Sequence, residues 1–248
     1  MARAYSKQEI INFCKEACKD MGAFYQQNFV NYKGKTKEKE YYTEIIAEWL
    51  LDNLDKFKKI RRVERTSSYN LNHTGKMGEK TNRVEEYVAK LMFNTKQLHD
   101  KIGKFIDYQT PLKDSYKDEG VGKIGLLSRD DKTESVYILE LKKDSSEETM
   151  LRCVLECYTY LRIVTKEKLF KDFKIPEDYK LKASPLVYKN GFQYKEFMDE
   201  DRKYLHLLMK ELNIIPFFVK EKNIYTSVRD KKVVKRVGNP RLFLYICK

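Results

Sequence analysis

Apolar and polar positions follow a helical period through the first hundred residues. One amphipathic stripe begins at Ile10, just after Ser6-Lys7-Gln8-Glu9, which has capping-box spacing. A second helix is predicted after Thr36 and a third over about 81–95. The second helix should bury Tyr42, Ile45, Ile46, Trp49, Leu50, Leu54 and Phe57. The stretch between the second and third helices is polar and aperiodic, which predicts a loop over residues 60–80.

After residue 103 the period changes to two, which is typical of β-strands. Strands are predicted at 103–110, 121–128, 135–143, 181–188, 215–220, 224–229 and 241–247. A helix should begin at the capping-box sequence Ser145-Ser146-Glu147-Glu148, and another should cover 193–212. The pattern predicts an α/β fold with a mixed central sheet flanked by helices. We expect a helical N-terminal portion over 1–78, packed on a core over 79–248.

Composition narrows the choice of partners. The chain has 248 residues, with 50 Lys and Arg against 37 Asp and Glu, a net charge of +13. This basic balance favours a polyanionic partner. No apolar run approaches the ~20 residues of a membrane span and no signal-peptide core is visible, so we expect a cytoplasmic protein without a membrane partner. The sequence allows a homo-oligomer but does not indicate one.

The five cysteines and three histidines indicate neither a disulfide scaffold nor structural zinc. Cys14 and Cys18, like Cys153 and Cys157, are four residues apart on predicted helices. Their Cβ atoms would be ~5–6 Å apart, which is too far for a relaxed disulfide. Reduced thiols are therefore expected, and the scattered histidines form no zinc motif.

The strand predicted at 135–143 ends in a charged pair. Side chains alternate along a strand, so Glu140 and Lys142 share one face with Val136 and Ile138. Because the strand is apolar on both faces, it should be central and covered on both sides. A carboxylate and an ammonium group buried there must pair with each other or hold a metal.

The surroundings of this pair resemble the PD-(D/E)XK nuclease superfamily. An acidic helix precedes a hairpin of Gly122-Lys123-Ile124-Gly125-Leu126-Leu127 and Glu140-x-Lys142, and a helix with Glu156 and Tyr160 follows. The resemblance covers roughly residues 80–190. It implies a restriction-endonuclease-like core and a Mg²⁺- or Mn²⁺-dependent phosphodiesterase that acts on DNA. It also implies that Glu140 is a metal ligand and Lys142 the catalytic lysine, with Glu86 as the helix acid or Glu85 in its place.

The sequence departs from this family at residue 125, where Gly125 stands in place of the metal-binding Asp. An Asp there would converge with Glu140 across the hairpin, whereas a strand glycine costs roughly 0.5–1 kcal/mol with no packing gain visible in the sequence. Three explanations compete: an introduced inactivating substitution, which the otherwise complete site favours; a naturally non-catalytic nucleic-acid-binding protein; or replacement by another acid. The candidates for that acid are Asp118, Glu119 and Asp130. We expect this chain to cleave DNA weakly or not at all.

Two basic clusters are candidate DNA contacts. The first comprises Lys56, Lys58, Lys59, Arg61, Arg62 and Arg65, and the second Arg229, Lys231, Lys232, Lys235 and Arg236. Cations of this kind bind phosphates without reading base sequence. The sequence from Gly75 to Thr81 has some likeness to a phosphate loop. However, Glu79 stands where that motif needs glycine, so we interpret the segment as a hinged loop.

Overall fold

Within the described residues, seven strands form one mixed sheet whose spatial order follows the chain. The computed structural model describes residues 3–76, 83–114, 122–220 and 241–244. The strands are β1 (Leu98–His99), β2 (Gly103–Pro111), β3 (Lys123–Asp130), β4 (Ser135–Leu141), β5 (Lys180–Tyr188), β6 (Phe217–Lys220) and β7 (Arg241–Leu244). Strands β1 to β4 pair antiparallel, β5 is parallel to both β4 and β6, and β7 is antiparallel to β6. The predicted α/β fold with a mixed sheet is confirmed.

Helices cover both faces of the sheet. They are α1 (Lys7–Ala17), α2 (Tyr42–Leu51), α3 (Val84–Asn94), α4 (Met150–Ile163), α5 (Lys166–Phe173), α6 (Phe192–Met198) and α7 (Lys203–Glu211). On β4, Val136 and Ile138 belong to the core shared with α4, whereas Tyr137 and Leu139 belong to the core shared with α3. The predicted central strand with two covered faces is therefore confirmed.

The N-terminal residues pack against the α4 face of the sheet. Ile10 and Ile46 lie in one continuous apolar core with Leu151 and Val154 of α4. The predicted capping box of α1 is present, since the Ser6 and Glu9 side chains each bind the other's backbone N–H. Three short 3₁₀ helices complete this portion, at Phe24–Gln26, Asn28–Asn31 and Leu54–Lys59.

Four predicted details of the helices were wrong. The second helix was expected to reach Phe57, but α2 ends at Leu51, and Leu54 and Phe57 belong to the separate segment Leu54–Lys59. The capping box at 145–148 does not form, because α4 begins after Thr149, whose hydroxyl accepts a hydrogen bond from the Arg152 N–H at 3.2 Å. The helix predicted over 193–212 is two helices, since Asp199 binds the Arg202 side chain at 3.2 Å in the break between α6 and α7. Helix α5 was not predicted; only Leu169 and Phe170 of its eight residues are fully buried.

Several predictions lie outside the described residues. They concern the strand at 224–229, the second basic cluster, the acids Asp118 and Glu119, and the segment from Gly78 to Thr81. The four described cysteines are free thiols, as their spacing predicted. Across the described ranges, no helix has the combination of length and apolar character that a bilayer crossing requires.

Candidate active site

Lys142 lies immediately beyond β4, and its buried ammonium group is the centre of the site. Its Nζ atom donates hydrogen bonds to Glu140 Oε1 at 3.0 Å and to Glu156 Oε2 at 2.7 Å. Glu148 Oε2 is also 2.7 Å from Nζ, at an angle that does not make a hydrogen bond. One ammonium group is therefore surrounded by three carboxyl groups, and the cluster carries excess negative charge when all of them are ionised.

Glu140 carries most of the electrostatic cost of this arrangement. Burial and the nearby charge of Glu156 raise the pKa of Glu140 to about 8, against the opposing effect of Lys142. Burial lowers the pKa of Lys142, but the charges of Glu140 and Glu156 outweigh it and the net pKa is raised. Glu140 is therefore largely protonated at neutral pH while Lys142 stays charged. Among the described residues, Glu140 Oε2 has no hydrogen-bond partner.

Helix α4 and the N-terminal portion hold the far side of the cluster. Tyr160 Oη donates a hydrogen bond to Glu156 Oε1 at 2.9 Å. Burial, together with the charges of Glu140 and Glu156, raises the pKa of Tyr160, so this hydroxyl keeps its proton. The Tyr25 and Tyr160 rings pack edge to face, with their centroids 6.0 Å apart. A Cβ atom at Gly122 would lie only 2.2 Å from Tyr160 Oη, so glycine is needed for this approach.

Helix α3 contributes a further acidic residue, Glu85, beside the cluster. Glu85 Oε1 accepts a hydrogen bond from the Lys143 N–H at 3.2 Å, and its charge helps to raise the pKa of Glu140. Glu86 is instead 2.9 Å from Lys90, which lowers the pKa of Glu86. Both glutamates line an open cleft of about 740 Å³. Of the two candidates for the helix acid, Glu85 is the one held at the end of β4.

Gly125 lies beside the site, with a packing role that the sequence did not reveal. The neighbouring pair Leu126 and Leu139 fixes the register of the hairpin, which confirms that β3 and β4 are adjacent and antiparallel. A Cβ atom at residue 125 would lie 3.1 Å from both Leu139 O and Leu141 N. Glycine therefore permits close approach of two strands, and a side chain there would press on the β4 backbone beside Glu140.

The residues present do not form a divalent-cation site as they stand. Hard cations need several oxygen ligands around one point, and the unpartnered Glu140 Oε2 is one suitable atom. However, residue 125 offers no carboxylate, and the Lys142 ammonium group occupies the space between the three glutamates. Within the described ranges, no group of three or more Asp, Glu, His or Cys side chains is arranged to hold a metal ion.

Asp130 does not replace the missing acid. It is the last residue of β3, five positions from Gly125, which corresponds to ~17 Å along an extended strand. Its carboxylate accepts hydrogen bonds from the Thr133 hydroxyl at 2.6 Å and the Lys132 N–H at 3.2 Å. Asp130 therefore stabilises the turn between β3 and β4.

Four of the six residues in the first basic cluster are exposed. Lys58, Lys59, Arg61 and Arg62 are exposed and Lys56 is half-buried, and none of the five forms an ion pair with a described residue. Arg65 was predicted to contact DNA, but its side chain is only 7% exposed. It donates hydrogen bonds to Ser68 O and Lys113 O. Arg65 thus links two segments of the chain. We call the other five residues the basic strip: Lys56, Lys58, Lys59, Arg61 and Arg62.

Two members of the site were missed by sequence reasoning. Glu148 had been assigned to a capping box, and Tyr25 to an apolar stripe. Only the pairing of Glu156 with Tyr160, one helical turn apart, gave a signal that α4 contributes to the site. No protein-family model, no curated protein and no solved structure matches the chain. The functional assignment therefore depends on the geometry of the site.

Proposed function

We propose that this chain is a PD-(D/E)XK-type endonuclease whose Mg²⁺- or Mn²⁺-dependent cleavage of DNA is weak or lost, because residue 125 carries no carboxylate. One observation carries the proposal: Glu140 and Lys142 lie side by side and buried at the end of a central strand, next to Glu85. The order of α3, β2, β3, β4, α4 and β5 is compatible with the restriction-endonuclease-like core.

The chemistry assigned to these residues follows from their environment. Lys142 is a fixed, buried positive charge of the kind that offsets negative charge as it develops on a phosphate. Its position is defined by Glu140, Glu148 and Glu156. The basic strip would hold the DNA backbone, which supports DNA as the substrate. The cytoplasm as the compartment is part of the same proposal.

A plasmid-nicking assay with Mg²⁺ or Mn²⁺ tests this proposal. We expect little or no nicking by the unaltered chain, measurable nicking by Gly125→Asp, and loss of that activity when Lys142→Ala is added. The matched control is Gly125→Asn, which has nearly the same size as Gly125→Asp but no charge. Both variants must displace the β4 backbone by a few tenths of an ångström, so a gain confined to Asp would report its charge.

A second candidate function is supported by the compensated charge of Lys142. Because three glutamates already surround this lysine, the chain could be a non-catalytic nucleic-acid-binding protein that retains the nuclease plan. A folded Gly125→Asp variant that binds DNA, takes up no Mg²⁺ by titration calorimetry and nicks no plasmid would favour this second function. Robust nicking by the unaltered chain would contradict our assignment of Gly125 as the defect.

A further inference from the structure

A second cleft, of about 780 Å³, lies inside the N-terminal portion, between the segment that follows α1 and part of the basic strip. Residues 19–23, 25 and 26 form one wall and residues 59–61 and 63 the other, with Ile163 at the end of α4. Its charged lining residues are Lys19, Lys59, Arg61 and Asp20. The cleft is therefore net positive, whereas the cleft beside Glu85 has more acidic than basic lining residues.

The cations of this second cleft are available to a ligand. Lys59 and Arg61 are exposed and form no ion pair with any residue in the described part of the chain. Lys19 is 2.6 Å from Glu16, but both side chains are more than 70% exposed, and such surface pairs exchange readily. The single acid, Asp20, already accepts hydrogen bonds from the N–H groups of Gly22 and Ala23, at 3.0 and 3.2 Å.

The cleft is connected to the candidate active site through two tyrosines. Tyr25 lines the cleft and contacts Tyr160 with its ring. Tyr160 in turn binds Glu156, which binds Lys142. A ligand in the cleft is therefore separated from the cluster of Lys142 and its three glutamates by two side chains, Tyr25 and Tyr160.

We propose that this cleft is a phosphate subsite that binds the backbone of the nucleic acid, and the inference rests on the proposed function. Arg and Lys side chains converging on a concave surface supply the charge-assisted hydrogen bonds that phosphate oxygens accept. The cleft beside Glu85 lacks this excess of cations. The N-terminal portion thus contributes to substrate binding, through Lys19 and through the wall that faces Arg61.

Two double variants from the same segment separate a defined subsite from a diffuse basic surface. Lys59→Gln with Arg61→Gln removes one Lys and one Arg from the cleft. Lys58→Gln with Arg62→Gln removes the same charges from neighbouring exposed positions that do not line it. The probe is a fluorescein-labelled DNA duplex of about 20 base pairs, long enough for several phosphate contacts, and binding is measured by anisotropy at several salt concentrations.

We expect the cleft variant to bind the duplex at least ~10-fold more weakly. The slope of the logarithm of its association constant against the logarithm of the salt concentration should become less steep by about 2, because two phosphate contacts are lost. The neighbouring variant also removes two cations of the basic strip, so it should lose some affinity, but no more than ~3-fold. Equal losses in the two variants, or no loss in the cleft variant, would overturn the subsite while leaving DNA binding in place. If the unaltered chain does not bind the duplex at all, the proposed function fails together with the subsite. Circular dichroism of both variants checks that each is folded.

Discussion

The ion-pair cluster of Lys142 with Glu140, Glu148 and Glu156 and the basic strip both contain basic side chains, but in opposite environments. Lys142 is buried and compensated by three glutamates, so its charge contributes to the internal structure. Lys59 and Arg61 are exposed without a described acidic partner, so their charges act on the surroundings. A buried charge is expensive to leave unpaired, whereas an exposed one costs little in either state. The comparison predicts that stability depends on the cluster and affinity on the strip.

The largest effect is expected from Lys142→Met. Removal of the ammonium group leaves Glu140, Glu148 and Glu156 facing one another without a counter-charge. We expect the free energy of unfolding at pH 7.5 to fall by about 3–5 kcal/mol, as for other broken buried ion pairs. Urea denaturation followed by circular dichroism measures it.

The adjacent Lys143→Met provides the control for this change. Its side chain is only half-buried, so its removal should change the free energy of unfolding by less than about 0.5 kcal/mol. Equal effects of the two substitutions would show that the buried cluster is not a special contributor to stability.

The next largest effect is expected from Glu140→Gln, which should make the free energy of unfolding depend less on pH. The pKa of Glu140 is raised to about 8, so between its ordinary pKa near 4.5 and pH 8 the folded state holds a proton that the unfolded state has released. Stability therefore falls as pH rises through this window. Urea midpoints from pH 5 to pH 8.5 should decline less steeply in Glu140→Gln than in the unaltered chain.

Glu177→Gln, at an exposed position, is the matched control and should keep the slope of the unaltered chain. If the urea midpoint of Glu140→Gln falls with pH as steeply as that of the unaltered chain, the raised pKa of Glu140 is refuted.

A smaller loss is expected for Tyr160→Phe, which deletes the hydroxyl that binds Glu156. Loss of a buried hydrogen bond to a carboxylate should lower the free energy of unfolding by about 1–2 kcal/mol. Tyr158→Phe lies on the same helix, where its ring packs against Phe57. It should have almost no effect, and an equal loss in both variants would argue against the hydrogen bond as the cause.

The smallest stability change should come from Lys59→Gln combined with Arg61→Gln, the variant that weakens DNA binding. Both residues are exposed, so thermal and urea unfolding should differ from the unaltered chain by less than about 0.5 kcal/mol. A loss as large as that of Lys142→Met would erase the contrast between the two regions.

Much of the fold could be predicted because its elements follow local rules. The strands around Gly125 and Glu140 are short apolar runs, as expected of strands covered on both faces, and the cap at Ser6 is built from neighbouring residues. The start of α4 could not be predicted in this way. Thr149 Oγ1 donates a hydrogen bond to Val30 O at 2.8 Å, a contact between residues 119 positions apart, and this tertiary bond competes with the local capping signal.

The candidate site was only partly visible in the sequence for a similar reason. The closeness of Glu140 and Lys142 follows from their shared strand face, but the approach of Glu148 depends on the loop that leads to α4. The sequence favoured Glu86 as the helix acid, with Glu85 as the alternative, because it does not show which way each side chain points. In the fold Glu85, not Glu86, accepts the hydrogen bond from the Lys143 N–H. The need for glycine at residue 125 became apparent only from the separation of two backbones.

The tie between Thr149 and the N-terminal portion has a consequence for synthesis on the ribosome. Asn31 accepts a hydrogen bond from the Thr149 N–H at 2.7 Å across 118 residues, so its partner does not yet exist when Asn31 emerges. At ordinary elongation rates the delay is on the order of ten seconds. During that time the apolar residues of Phe24–Gln26 and Asn28–Asn31 lack the α4 surface that they contact in the finished protein. The nascent chain is therefore most exposed to aggregation and to chaperones before α4 has left the exit tunnel.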